Sequence, residues 1–219
     1  MAADPNAAHG EGLTYGGLVH QSEELRDERI NQDLQQAYVL KGRGGHQKAL
    51  ELYLTVLGQD FIKNSHLEQH VHMRQNAHKN AGEIYEELGR FQLAKDHYIK
   101  ALKIRENDSW VWTKIGMIEY LKYGHLQVAQ ECFEAAISTR PTLQRRSATI
   151  SPILVKLAEI NFKLSNFEKC EGLVDSILLR ANAPNMDQAS RVFALKLKAF
   201  FQALKGEEDK RDALLAQLV

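Results

Sequence analysis

The chain has 219 residues and a mass of 24.9 kDa, with 28 Lys+Arg balanced by 28 Asp+Glu and a pI near 7.1. That length can bury roughly 70% of the surface an unfolded chain exposes, and the neutral balance excludes the uniform positive field of a non-specific nucleic-acid or anionic-membrane binder. Cys132 and Cys170 stand alone, so no disulfide framework or CxxC site is expected, and neither a bilayer-spanning apolar run nor a signal peptide is legible, which points to a soluble intracellular protein.

Residues 1–21, mostly Ala, Gly, His and Asn, cannot bury enough surface to offset their ordering entropy, and the spacing predicts a disordered tail there. From Ser22 onward Gly, Pro and Asn fall between long segments of helical periodicity, with Pro141, Pro152 and Pro184 in the gaps, so residues 22–219 read as one all-α body. Self-similarity is the main signal. From Gln75, the residues Ala81, Gly82, Tyr85, Gly89, Ala94, Tyr98 and Ala101 occupy the offsets of the 34-residue tetratricopeptide repeat. Ser109 opens a second unit in phase, with Trp112, Ile115 and Gly116; Gly124, Ala129, Phe133, Ala136 and Pro141 then come one place late, as if one residue were inserted in the first helix.

Weaker units flank these two. Ala37, Gly44, Ala49 and Tyr53 place one at about 30–63, and Ala158, Cys170, Val174 and Ile177 place another at about 151–184. With the units at 75–108 and 109–143 this makes four repeats, and residues 187–219 read as a helix, a glycine break at Gly206 and a short helix that cap the array. Small residues at offsets 8 and 20 let paired helices approach closely, and a Gly or Ser at offset 15 permits a left-handed turn between them. The expected product is a helical-hairpin solenoid whose inner wall is made by the first helices.

Inner-wall offsets fall on Asn31, Leu34, Tyr38 and Lys41, then Asn76, Lys79, Glu83 and Glu86, then Trp110, Thr113, Met117 and Tyr120, and finally Val155, Glu159 and Phe162. The candidate groove residues are Tyr38, Asn76, Lys79, Glu83, Glu86, Trp110, Thr113, Met117 and Tyr120, a mixture suited to a peptide or helix of a partner. Packing between repeats is the competing role for Trp110, Tyr120 and Phe162. A clamp for a C-terminal carboxylate is disfavoured, because Glu83 stands where that motif needs Asn.

His66, His70, His72 and His78 suggest a metal- or metal-regulated stretch, but no third spaced ligand completes a set, so no metal or other cofactor is expected. They lie where Ala49 and Ala94 are 45 residues apart instead of 34, and read best as a solvated extension of the next helix. Cys132 and Cys170 fall near small-residue packing positions and read as inert buried thiols. Arg140, Arg145, Arg146, Ser147 and Thr149 form a basic loop with a faint kinase-site character, and a solvated linker is the simpler reading. No nucleophile, phosphate-loop or paired-carboxylate pattern is present, so no catalytic residue is assigned.

The run Ala77-His78-Lys79-Asn80-Ala81-Gly82, the segment Phe91–Ala94 with Tyr98, the block Trp110–Gly116 and the run Leu126–Glu134 ending at Pro141 have a narrower likeness. Residues 74–141 resemble the N-terminal repeats of the cabin family, the large scaffold subunit of the nuclear HIR histone-chaperone complex. The likeness stops after Pro141, where that family continues with Trp-Pro and this chain with Thr142-Leu143. The resemblance implies a nuclear scaffold of replication-independent nucleosome assembly, with other complex subunits as partners. Because family members are many times longer, it also implies a fragment or a divergent short relative. The alternatives are a cytoplasmic tetratricopeptide adaptor that binds a partner peptide or helix, and a metal-dependent role for His66–His78. Direct nucleic-acid or membrane contact is not expected, and self-association through an uncapped apolar end stays open.

Overall fold

The structure of the chain is a computed structural model that describes residues 15–140, 150–180 and 187–218. Among them every regular element is helical: α1 (Tyr15–Gly42), α2 (His46–Gly58), α3 (Asp60–Asn64), α4 (Glu68–Glu87), α5 (Phe91–Ile104), α6 (Ser109–Ile118), α7 (Leu126–Ser138), α8 (Ser151–Lys163), α9 (Phe167–Leu178), α10 (Gln188–Leu204) and α11 (Glu208–Leu215). The fold class is all-α, built of helix hairpins. No helix among the described residues is long and apolar enough to cross a membrane. Where the periodicity suggested one body over 22–219, the chain divides into two compact units, Met1–Ile84 and Tyr85–Val219, with the boundary inside the last turn of α4.

Helix α1 begins at Tyr15, so residues 15–21, expected in the tail, are helical; residues 1–14 lie outside the described residues. Extending an existing helix adds one hydrogen bond per residue ordered, and only nucleation is costly, so these residues need not start a helix of their own. In the first unit the small residues Ala37 and Ala49 are fully buried between α1 and α2 and cluster with Tyr53 of α2 and with Ala77, Ala81 and Ile84 of α4. A second cluster joins Ile30, Val56, Ile62 and Met73. The extra length between the first two repeats is taken up by α3 and by α4, which starts at Glu68, ahead of the expected Gln75.

In the second unit α6 and α7 approach closely at Gly116. A Cβ added at Gly116 would lie 3.0 Å from the Phe133 ring and 3.2 Å from Cβ of Cys132. Between α8 and α9 the equivalent closeness is marked by Cys170, whose Sγ lies 3.3 Å from the Ala158 carbonyl oxygen. The loop residues at offset 15 all adopt positive φ: 80° at Gly44, 71° at Gly89, 70° at Gly124 and, without the freedom of glycine, 59° at Ser165. Asp108 caps α6 by accepting from the Trp110 and Val111 amides, and Asp187 caps α10 by accepting from the Ser190 amide. Pro152 lies in the first turn of α8 and not in a gap; there its missing N–H costs nothing.

The extra residue in the first helix of the third repeat takes the form of a π-helical turn, Glu119–Tyr123, closed by Gly124. Glu119 is buried, and its carboxylate accepts from Lys95 Nζ (2.9 Å) and from His125 Nδ1 (2.8 Å). Burial alone would raise its pKa, but these two hydrogen bonds and the charges behind them hold it below the ordinary carboxylate value.

Two outcomes follow from this packing. Because Phe133 is fully buried and cannot retreat, Gly116→Leu should cost about 1–3 kcal/mol in urea unfolding, and an unchanged midpoint would contradict the α6–α7 contact. His97 of α5 is buried against the Tyr85 ring, 5.3 Å away, and burial, then Lys100, push its pKa down to about 4. A depressed imidazole adds stability that is complete above the unfolded value near 6.5 and is lost as pH falls towards the folded one, a loss on the order of 3 kcal/mol by pH 4. Urea midpoints from pH 7 to 4 should fall in this window, and the slope should flatten in His97→Leu.

Candidate partner-binding surface

The first unit carries a cleft of about 690 Å³ between residues of α1, α2 and α4. Its walls bear four side-chain amides, Asn31, Gln35, Asn76 and Asn80, with Leu34, Val39 and Met73 between them. Three rings complete it: Tyr38 and His72 at the rim and Tyr53 below. Two of the amides are spent on the protein. Asn80 donates to the Asn76 carbonyl (2.9 Å) and accepts from Lys41 Nζ (2.7 Å), and Asn76 donates to His72 Nε2 (2.8 Å). Asn31 and Gln35, both exposed on α1, make no hydrogen bond among the described residues. Lys41 also pairs with Glu83, tying the end of α1 to α4 beside the cleft.

The structure therefore brings Tyr38 and Asn76 of the candidate residues to this cleft, along with Asn31 and Leu34. Glu83 is committed to Lys41 and is not a free groove acid, and Lys79 is half-buried outside the cleft lining. Gln35, Val39, Tyr53, His72, Met73 and Asn80 also line the cleft, although the inner-wall offsets do not include them. His72 and Met73 precede the expected start of their repeat because α4 begins early, and Tyr53 occupies offset 24, whose aromatic normally only packs.

In the second unit the first-helix residues are largely tied to each other. Glu86 accepts from the Tyr98 hydroxyl (2.9 Å) and from Lys114 Nζ (3.1 Å), and the Lys114 ammonium lies 5.4 Å from the Trp110 ring. Trp110 stands edge-on to Tyr98, with ring centroids 5.8 Å apart. The Thr113 hydroxyl donates to the Ser109 carbonyl, and Met117 and Tyr120 pack on a core of Ala129, Phe133, Ile153 and Leu157. The Tyr120 hydroxyl donates to Glu159 (3.2 Å) and accepts from Lys163 (2.9 Å), which also sits 4.5 Å from the ring. Phe162 joins a ring cluster with Phe167, Phe200 and Phe201. Packing thus accounts for much of what Trp110, Met117, Tyr120 and Phe162 do.

The histidine stretch divides in the structure. His70 is buried rather than solvated, because Asp27 Oδ1 (3.0 Å) and Ser65 Oγ (2.7 Å) occupy its two ring nitrogens and Phe61 stands edge-on to it. Among the described residues no group of three His, Cys, Asp or Glu side chains is placed to hold a metal ion. Burial raises the thiol pKa of Cys132 and of Cys170 to about 11, as inert thiols require. Arg145, Arg146, Ser147 and Thr149 lie outside the described residues, while Arg140 donates to Ser109 Oγ at 2.7 Å.

Residues 77–108 match the family model described as tetratricopeptide repeat. No curated protein sequence matches the chain. Among solved structures, BtubC (BKLC) from P. vanneervenii is similar at 16% identity and a TM-score of 0.66, over 91% of this chain and 82% of that one. YrrB, described as a tetratricopeptide protein with an unusual peptide-binding site, is similar at 15% identity and a TM-score of 0.62, over 90% and 88% of the two chains. MamA (41 to the end) from Desulfovibrio magneticus RS-1 is similar at 15% identity and a TM-score of 0.61, over 86% and 92%. The fold is thus that of tetratricopeptide-repeat proteins. None of these likenesses extends to the cabin family, and the block Trp112–Gly116 that carries that resemblance has structural duties. The Trp112 indole donates to the Glu106 carbonyl, Lys114 pairs with Glu86, and Gly116 admits Phe133.

The Lys41–Glu83 pair beside the cleft is partly buried and reinforced by Asn80. A double-mutant cycle with Lys41→Met and Glu83→Gln should give a coupling of about 1 kcal/mol in urea unfolding that shrinks in 0.5 M salt, and zero coupling would remove the pair from the account of the α1–α4 contact.

Proposed function

We propose that the chain is a non-enzymatic adaptor that binds a segment of a partner protein on the first-helix surface of its repeats. The observation that carries this reading is the amide-lined cleft between α1 and α4, a concave polar and apolar surface placed where a tetratricopeptide fold presents its ligand face. The candidate residues of the second unit, Glu86, Trp110, Thr113, Met117 and Tyr120, serve mainly to hold that part of the surface rigid. A rigid scaffold loses little entropy when it binds. No residue is assigned a catalytic role.

Within this reading, the nuclear histone-chaperone scaffold is the narrower form and rests on the resemblance of residues 74–141 alone; the generic adaptor draws on the fold, the cleft and the family match together. Affinity purification of the tagged full chain, compared with a Tyr38→Ala/Asn76→Ala variant, separates the outcomes. The adaptor reading expects at least one protein enriched about tenfold by the wild type and lost with the variant. Histone-chaperone subunits in that set would establish the narrower form, and a set retained equally by both chains would overturn the assignment of the surface.

A further inference from the structure

Stacked helix hairpins place the loops between their paired helices along one edge. In the second unit that edge holds an apolar surface which the repeat packing does not cover. Among the described residues of this unit, four phenyl and phenol rings are more than a third exposed: Tyr123 (37%), Phe162 (36%), Phe167 (48%) and Phe200 (44%). All four flank these loops, and the exposed Leu88, Leu121 and Leu204 lie in or beside them. Contacts between successive hairpins make the edge continuous. Lys122, beside the loop before α7, lies 4.6 Å from the ring of Phe91, which opens α5. Lys163, at the end of α8, reaches back to the Tyr120 hydroxyl in the π turn (2.9 Å). Phe162 stands edge-on to Phe167 and to Phe200, with centroids 5.6 and 5.7 Å away, and the buried Phe201 touches all three rings. Packed helices lie about 8–10 Å apart, so four hairpins make an edge about 30 Å long, the reach of about ten extended residues.

Charge along the edge says what covers it. Arg90 is exposed and makes no ion pair among the described residues, Lys122 meets only a ring, and Lys163 meets the hydroxyl and ring of Tyr120. These three cations have no acid of their own. The acids nearby are largely spent: Glu119 is buried under Lys95 and His125, Glu207 pairs with Lys210, and Glu87 has a partner, which leaves Glu168. The unspent charge is therefore positive, and it sits beside exposed rings. A second copy in a two-fold contact would bring the same cations face to face, which disfavours self-association through this edge. The rings are held side by side instead of standing out as single wedges, and the chain as a whole is neutral, which disfavours an anionic lipid surface. An acidic protein segment with apolar side chains complements both the rings and the charge.

We propose that the hairpin-loop edge of the second unit is a docking surface for an acidic segment of a partner protein. Its apolar side chains pack on Phe162, Phe167 and Phe200, and its carboxylates meet Arg90, Lys122 and Lys163. This surface is separate from the α1–α4 cleft and does not depend on it. The test is selection of a phage-displayed library of random 16-residue peptides on the full-length chain, followed by titration of the synthesised winners against variants. The expected winners carry Asp or Glu beside Leu, Phe or Trp and weaken about fivefold between 0.05 and 0.5 M NaCl. They bind about tenfold more weakly to Phe167→Ser/Phe200→Ser and to Arg90→Glu/Lys122→Glu, and equally well to Tyr38→Ala/Asn76→Ala. Arg90→Glu/Lys122→Glu changes exposed side chains only and should melt with the wild type, so the test holds even where the ring variant loosens the Phe201 cluster. Winners without acids, winners indifferent to both edge variants, winners lost only with Tyr38→Ala/Asn76→Ala, or no winners at all overturn the proposal. Two further measurements on the full chain test the other occupants. Binding to phosphatidylserine vesicles that Phe167→Ser/Phe200→Ser abolishes assigns the edge to lipid, and a dimer in sedimentation equilibrium that the same variant dissolves assigns it to a second copy; either result overturns the proposal.

Discussion

Close approach of paired helices is the constraint on which the rest depends. Where α6 meets α7 there is room for a hydrogen at Gly116 and for nothing larger without moving Phe133. Where α8 meets α9, the Cys170 thiol sits against the Ala158 backbone. Contacts this short bring backbone within reach of side chain along the hairpin, so the dispersion and burial of each pair are large for the few residues involved. They also set the angle at which each hairpin presents its outer faces. A surface built on such pairs is stiff, and polar side chains can then be spent on recognition instead of on holding the helices together.

The two units use that freedom differently. In the second, the first-helix residues satisfy one another through linked acids, lysines and rings, of which Glu86 with Lys114 and Tyr98, and Tyr120 with Glu159 and Lys163, are the main groups. In the first, Lys41 draws Asn80 and Glu83 into a single tie, while the amides of Asn31 and Gln35 remain uncommitted. The contrast is one of saturation: one surface has used its hydrogen-bonding capacity internally, and the other holds some in reserve.

The repeat offsets were legible because they report packing, and packing leaves small residues at fixed spacing. Ala37, Ala49, Ala94, Gly116, Ala158 and Cys170 are all buried, and the late arrival of Gly124 announced an extra residue that the helix accommodates as a π turn. The candidate surface was legible only in part. Tyr38 and Asn76 followed from offsets, but Tyr53 as a lining residue of the cleft could not, since an aromatic at offset 24 ordinarily only packs. His70 illustrates the converse. Its four-residue spacing from His66 looked like chemistry, while its partners Asp27 and Ser65 come from α1 and from the loop before α4, which spacing along one helix cannot reveal.

The π turn at Glu119–Tyr123 has a consequence for how such a chain can change over time. An added residue rotates everything after it by about 100° around the helix axis, which in mid-helix would turn half an interface away from its partner. Placed in the last turn before Gly124, the insertion is absorbed by a loop whose left-handed glycine resets the direction of the chain, and α7 resumes with Ala129, Phe133 and Ala136 inward. The hairpin loop acts as a register lock, so one-residue gains and losses just before it are survivable while the same events a turn earlier are not. Length variation among relatives should therefore collect at the ends of first helices.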